Sequence, residues 1–597
     1  MHKLHFIASD TIDKVWNRPA AMWDYQQPHQ LQECCIDQPE RAVTVEIIPA
    51  YTAEHLFVFV RSNQQTVSGR DRGYQNGDGL HFVLARPCQD GAASTEFYVV
   101  GISPFDKGRQ RKFIWYKNID LTFIPLEGTD VRHSTESAWQ YFAVRTPWHE
   151  LTPYHPWLDR LIGFNLSYVQ AVPDGRNTYM LRRDERIQSE QSPRLYATFS
   201  PIYPRNAHIL KGVSRLSSKH ATQGALLTLE LVLNSPRTQT LEFSFTVDES
   251  APVTFSAQLQ PGINRLHQPI ATAGLAPGEH SVRVGGQWKG NEHFFIYRTD
   301  ELAEISRAVN SLTHQLPPDE ISKESVTFLK FKVKELRDKF GALKPQDNFG
   351  DLAREMAATW SLLRTVQAGS NHFVPGARIR AAICSRQDNS LQPYSIYIPK
   401  GTATPRQLLI YLHGSGEDDR SLFNSTQMLK LAEDLHVILV APFARGTSHA
   451  YVPWEALEDI AEVTQKVQQL FAISPRNTKL SGFSMGGYGV LRAYEHNPTL
   501  FSGLALISGH PSLAEAWGME GPDYTNQEAL AMFKDVPIII FHGTEDRNCP
   551  FPLIERLHSQ LTQINPHVQL HVAKEAGHIG LDDKWRFHLQ RWAESID

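Results

Sequence analysis

Apolar and polar positions along this chain change their period twice. In the first third they alternate. Val43, Val45 and Ile47 are interleaved with Thr44 and Glu46, the period of a strand with one buried face. HLFVFV (55–60), GLHFVLA (79–85), EFYVVG (96–101), KFIWY (112–116) and WQYFAV (139–144) continue the series between Gly-, Pro-, Asn- and Asp-rich breaks. Many short strands with turn signals predict a β-sandwich over 1–202. LTLELVL (227–233), LEFSFTV (241–247) and HSVRV (280–284), with turns at Pro261-Gly262 and Pro277-Gly278, predict a second, immunoglobulin-like β-sandwich over 203–298.

From 299 to 375 the period becomes helical. Pro317-Pro318-Asp319-Glu320 marks a helix start, with prolines at the entry and acids where the helix dipole favours them. Leu329, Val333, Leu336 and Phe340 then share one face, and Gly341 marks a stop. Leu352, Met356, Trp360 and Leu363 line a second helix. This stretch is expected to be a helical connector packed on a neighbour. Beyond 376, short and nearly continuous apolar runs alternate with helical ones: QLLIYLHG (407–414), VILVAP (437–442), TKLSGF (478–483), GLALISG (503–509), VPIIIFHG (536–543) and VQLHVA (568–573). Strands buried on both faces read this way, so 376–597 is expected to be an α/β domain around a mostly parallel sheet.

Composition adds bounds. The 597 residues suggest several domains. A net charge of −5 with no basic stripe argues against nucleic acid as a partner. The apolar runs near 408–412 and 537–541 are far shorter than the roughly 20 residues of a membrane span, so no membrane partner is expected. The five cysteines, Cys34, Cys35, Cys88, Cys384 and Cys549, form no CxxC or other metal-ligand spacing and read as buried or free thiols. The opening MHKLHFIASDTIDKVW has neither an apolar core nor a cleavage site. As a native start it implies a cytoplasmic protein; a processed chain would be secreted or periplasmic.

Candidate chemistry clusters after residue 411. Gly482-Phe483-Ser484-Met485-Gly486 sits between a strand pattern and a helix pattern, the setting of a nucleophile elbow that exposes a serine hydroxyl. Leu412-His413-Gly414-Ser415-Gly416 ends an earlier strand. Acyl transfer builds negative charge on a carbonyl oxygen, and two backbone N–H groups must meet it; Met485 and Ser415 are the candidates. Glu417, Asp418 and Asp419 read as a solvated loop. FHGTED (541–546) follows another strand and offers Asp546, with Glu545 as competitor, to orient a histidine. His578, in AGHIG (576–580), completes the order Ser, Asp, His. Cys549 reads as a wall residue. This chemistry calls for no metal and no organic cofactor.

The motifs QPYSIYIP (392–399), YLHGSGEDDR (411–420), GFSMGGYG (482–489), FHGTEDRNCP (541–550) and AGHIG resemble the esterase branch of the α/β-hydrolase superfamily. That branch includes polyhydroxybutyrate depolymerase-like and feruloyl esterase-like enzymes and the prolyl-oligopeptidase-type serine hydrolases. The resemblance implies a Ser484–Asp546–His578 triad and an ester substrate, either a small molecule or an acylated saccharide. A serine peptidase is the rival enzyme, and a sugar-binding protein with a vestigial hydrolase fold is the non-enzymatic alternative. TIDKVW (11–16), the Asp78-Gly79 strand entry, FAVRTPWHEL (142–151) and IGFNLSY (162–168) resemble family-nine carbohydrate-binding modules. That resemblance implies a sugar held on aromatic faces, for which Trp23, Trp115 and Tyr116 are the candidates, with core packing as the alternative for each.

Overall fold

The computed structural model describes residues 2–68, 77–86, 96–106, 109–118, 120–173, 175–183, 196–204, 209–312, 315, 320–369, 373–401 and 404–595. They form two compact units, one of residues 1–298 with 344–350, the other of 299–343 with 351–597.

In the first unit, Val45–Tyr51, His55–Ser62, Asp130–Glu136 and Trp139–Pro147 pair antiparallel. Gly79–Ala85, Phe97–Asp106, Arg109–Lys117 and Ile162–Val172 form a second antiparallel run. The first strand, His2–Phe6, joins the two: residues 2–4 pair with 199–201 and residues 5–6 with 50–51. Strand alternation sets the core, since Leu56, Val58 and Val60 share one cluster with Leu80, Phe82 and Leu84. The intervening Phe57 and Phe59 are also buried, under Val15, Trp16 and Met22. Val15 and Trp16 belong to a helix, Ser9–Asn17, in a stretch expected to be all β. A strand as apolar as HLFVFV needs cover on both faces, and the helix supplies one of them. Residues 211–297 form a three-stranded and a five-stranded sheet. Leu227, Leu229 and Leu231 of the first share a core with Phe245, Val282, Val284 and Phe294 of the second.

Among the described residues the second unit carries eight strands: β1 (Arg378–Cys384), β2 (Leu391–Tyr397), β3 (Gln407–Leu412), β4 (Val437–Pro442), β5 (Thr478–Phe483), β6 (Gly503–Ile507), β7 (Ile538–Gly543) and β8 (Val568–Ala573). Their order in the sheet is β1-β2-β4-β3-β5-β6-β7-β8. β1 and β2 are antiparallel, and the pairs from β4 onward are parallel. Its longer helices are α1 (Glu301–Leu312), α2 (Glu320–Ala342), α3 (Phe349–Gln367), α4 (Thr426–Leu435), α5 (Trp454–Phe471), α6 (Met485–His496), α7 (Phe551–Ile564) and α8 (Asp583–Ser595).

Register in β7 shows why the runs are continuously apolar. Ile538 and Ile540 enter the cluster under α5, α6 and α7, while Ile539 and Phe541 enter the one under α4 and α8. Each such side chain is worth roughly 1.5–3 kcal/mol of burial, so both faces fix the strand. On the edge strand β1, Ala382 meets Phe328 and Phe331 of α2. Among the described residues no helix is long and apolar enough to cross a membrane.

The chain leaves β3 for β4 on one side and returns to β5 on the other. This switch of direction opens a crevice beyond the carboxyl ends of the strands. The loops after β3, β5, β6, β7 and β8 all end there.

Candidate active site

Ser484 sits between β5 and α6 with φ 55° and ψ −116°, a left-handed conformation for a non-glycine residue. Its N–H donates to the Ile507 carbonyl at 2.9 Å and its carbonyl accepts from Gly487 N at 2.9 Å. The turn is tight enough to require glycine at two flanking positions. A Cβ on Gly482 would lie 2.2 Å from the Gly486 carbonyl oxygen, and one on Gly486 would lie 2.0 Å from that of Leu412.

His578, on the loop after β8, meets this serine: its Nε2 lies 2.8 Å from Ser484 Oγ. The other ring nitrogen, Nδ1, lies 2.7 Å from Asp546 Oδ2. With Nδ1–H donating to the carboxylate, Nε2 is left to accept the serine proton. Asp546 has a fully buried side chain, and its second oxygen, Oδ1, accepts from Asn548 N at 3.0 Å and Cys549 N at 2.9 Å. Glu545 is exposed, and its N–H goes to the Ala576 carbonyl, so the turn presents Asp546 to the imidazole. Asp546, Cys549 and His578 bring ligand atoms within 4.8 Å of one another, but His578 Nδ1 and Asp546 Oδ2 are already bonded to each other.

Two further buried histidines lie at the ends of neighbouring strands. His542 Nε2 donates to the Cys549 carbonyl at 2.7 Å and lies 3.5 Å from Asp546 Oδ2. Burial lowers its pKa, so it is a neutral brace for the turn that carries Asp546. His510, after β6, accepts from Ser512 N through Nδ1, and burial pushes its pKa down to about 4. Sequence reasoning assigned neither. For His542 the signal was its place beside Gly543 at a strand end.

Met485 opens α6, where a first-turn N–H has no intrahelical partner. Ser415 lies on the loop after β3, which passes the serine closely: the Cβ position at Gly414 is 3.5 Å from Ser484 Cβ. Of the three acids read as a solvated loop, none is idle. Glu417 accepts from Gly414 N at 3.0 Å, Asp418 from Arg420 N at 2.8 Å, and Asp419 has a fully buried side chain. The expectation fails because a carboxylate held by a distant arginine looks, in sequence, like any other acid.

The aromatic candidates of the first unit do not converge. Trp115 is 3% exposed, packed with Val83, Phe97, Val99 and Tyr196, and so offers no face to a sugar; core packing claimed it. Tyr116 packs half-buried against the same cluster. Trp23 packs at a different one. Its Nε1 donates to Glu46 at 3.1 Å, and the Arg61 guanidinium covers its ring at 5.0 Å.

The prolyl oligopeptidase family model matches residues 454–593. A bifunctional acetylxylan esterase/xylanase of Neocallimastix patriciarum is 27% identical over 164 residues, 27% of this chain and 22% of that protein. The alignment thus spans about a fifth of that relative. Among solved structures, an S-formylglutathione hydrolase of Staphylococcus aureus aligns at 19% identity and TM-score 0.31, covering 37% of this chain and 98% of its own. A ferulic acid esterase aligns at 15% identity and TM-score 0.30, covering 37% and 96%. The family match falls on the segment that carries Ser484, Asp546 and His578, and the α/β unit of this chain is a serine hydrolase.

Proposed function

We propose that the chain is an esterase that cleaves carboxylic esters through an acyl-enzyme on Ser484. The observation that carries this reading is the relay Ser484 Oγ–His578 Nε2 at 2.8 Å and His578 Nδ1–Asp546 Oδ2 at 2.7 Å. His578 takes the serine proton as Oγ attacks the ester carbonyl. Asp546 holds the imidazole in the productive tautomer and stabilises its protonated form. The Met485 and Ser415 N–H groups receive the oxyanion. The alcohol leaves with the proton from His578, water attacks the acyl group, and His578 again acts as base.

The acylated carbohydrate is the substrate class we favour, since the curated relative is an acetylxylan esterase/xylanase. On this reading residues 1–298, a carbohydrate-binding-module-like and an immunoglobulin-like sandwich, retain the saccharide through surfaces other than Trp115. The prolyl oligopeptidase match over 454–593 supports a second reading, a serine peptidase. One panel separates them: p-nitrophenyl esters, acetylated xylo-oligosaccharides and peptide amides. The esterase reading expects turnover of the first two and little of the third. Amide cleavage exceeding ester cleavage would replace it with the peptidase.

A further inference from the structure

The loop that offers Ser415 is built on a strained neighbour. Residues 443–451, which follow β4, contain four non-glycine residues at positive φ: Ala444 at 50°, Arg445 at 66°, Ala450 at 52° and Tyr451 at 52°. This segment grips the Ser415 loop at four points. The Phe443 carbonyl lies 3.1 Å from His413 Nε2. The Thr447 carbonyl accepts from Gly416 N at 2.6 Å. Ser448 Oγ lies 3.1 Å from Ser415 Oγ, and Tyr451 OH donates to the His413 carbonyl at 3.0 Å.

An unfavourable backbone persists only where its surroundings over-determine it. Here the determinant is the guanidinium of Arg445. Its Nε donates to Asp459 Oδ2 at 2.6 Å and its Nη2 to Asp459 Oδ1 at 3.1 Å. Nη2 also reaches Ser385 Oγ at 2.8 Å, and Nη1 reaches Asp388 Oδ2 at 2.5 Å. Asp459 lies on α5 with its side chain 1% exposed. A second arginine holds the other end of the Ser415 loop. Arg380 on β1 donates to both oxygens of the buried Asp419, at 2.7 and 2.8 Å, and through Nη1 to Glu335 of α2 at 2.8 Å. Ser395 Oγ donates to the same Asp419 carboxylate at 3.0 Å.

We propose that Arg445 and Arg380 are positioning residues for catalysis, two clamps that hold the 413–419 loop with the Ser415 N–H aimed at the developing oxyanion. The inference rests on the Ser484 acyl-enzyme reading. Neither arginine is a member of the Ser484–His578–Asp546 relay. A planar fork that binds two oxygens at once fixes angle as well as distance, which a lysine ammonium does not. The clamps therefore act on a contact made in the transition state and not in substrate binding.

The test uses the full chain with Arg445→Lys and Arg380→Lys, p-nitrophenyl acetate as substrate and phenylboronic acid as a tetrahedral mimic. Losing an oxyanion donor costs about 100- to 1,000-fold in kcat, so loosening one is expected to cost about 10-fold. KM should stay within about twofold, the pattern of a contact made only in the transition state. The inhibition constant of the boronic acid should rise with the fall in kcat. A lowered melting temperature with kcat and boronate affinity unchanged would overturn the proposal and leave the arginines as fold stabilisers. If Arg445→Lys does not fold, Asp388→Asn removes one arm of the clamp at a carboxylate whose side chain is 47% exposed. It should shift kcat and boronate affinity in the same direction by less, and no shift overturns the Arg445 clamp. Labelling of the wild type by a fluorophosphonate separates the two levels: without a label on Ser484 the acyl-enzyme reading itself falls.

Discussion

Asp546 uses both carboxylate oxygens, one on His578 and one on the N–H groups of Asn548 and Cys549. That division predicts what Asp546→Asn does. The two backbone donors keep the amide oxygen, so the amide NH2 turns toward His578 Nδ1. The ring then holds its proton on Nε2 and cannot accept one from Ser484. The rate should fall by about 10⁴-fold, whereas exposed Glu545→Gln should change kcat/KM by less than about threefold. Comparable losses in both variants would move the acid. At this scale the sequence was legible where a residue's placement is set by near neighbours: Ser484 between its glycines, Asp546 after a strand, His578 between small residues, which the structure brings within hydrogen-bond distance of one another. It was opaque where the partner lies far off. Asp419 is buried by Arg380, 39 residues earlier, and nothing in Glu-Asp-Asp shows which acid turns inward.

The elbow is the element on which the site depends. A positive φ at Ser484 costs roughly 1–3 kcal/mol, and the contact of β5 with α6 across Gly482 and Gly486 holds it there. Gly486→Ala would drive a methyl into the Leu412 carbonyl, part of the backbone of β3. We expect a loss of roughly 3 kcal/mol or more in chemical unfolding. Ser484→Ala should unfold close to the wild type, since alanine tolerates the position about as serine does. Near-wild-type stability of Gly486→Ala would mean that the strand–helix contact is slack. The strands of the α/β sheet were legible because burial on both faces makes a short unbroken apolar run. Ser9–Asn17 was not, although Ile12, Val15 and Trp16 fall at helical spacing, because one short helix in a strand-rich stretch is outweighed by its surroundings. Glu301–Leu312 was likewise absorbed into a connector. Its place on the hydrolase unit depends on what it packs against.

At the scale of the whole molecule, the residues of the candidate site and of both clamps all belong to the second unit. The first unit, like the second, carries buried neutral histidines. Burial pushes the pKa of His81 down to about 3 and that of His155 to about 4. His155 is fixed as neutral, donating through Nε2 to the Ala53 carbonyl and accepting from Trp157 N at Nδ1. Because these folded values lie below the unfolded 6.5, protons favour the unfolded chain. The stability of this unit is undiminished above about pH 6.5 and falls as the pH drops toward 4. Each histidine contributes up to about 1.4 kcal/mol per pH unit. Denaturant titrations at pH 7, 6 and 5, followed by tryptophan fluorescence, should show midpoints that fall steadily below pH 6. A flat profile would place these imidazoles in contact with water. The order Ser, Asp, His along the chain and the alternation of strands and helices made the architecture of the second unit readable. The separation of residues 344–350 from the rest of the helical stretch was not, because nothing in their composition marks which unit they join.

The proposed chemistry turns on Ser484 Oγ as the nucleophile. The direct measurement is reaction of the full chain with a fluorophosphonate, followed by peptide mass spectrometry of the adduct. One adduct is expected, on Ser484, absent from Ser484→Ala and slowed by about 10³-fold or more in His578→Ala, where the base is missing. An adduct on another residue, or one that persists in Ser484→Ala, would contradict it.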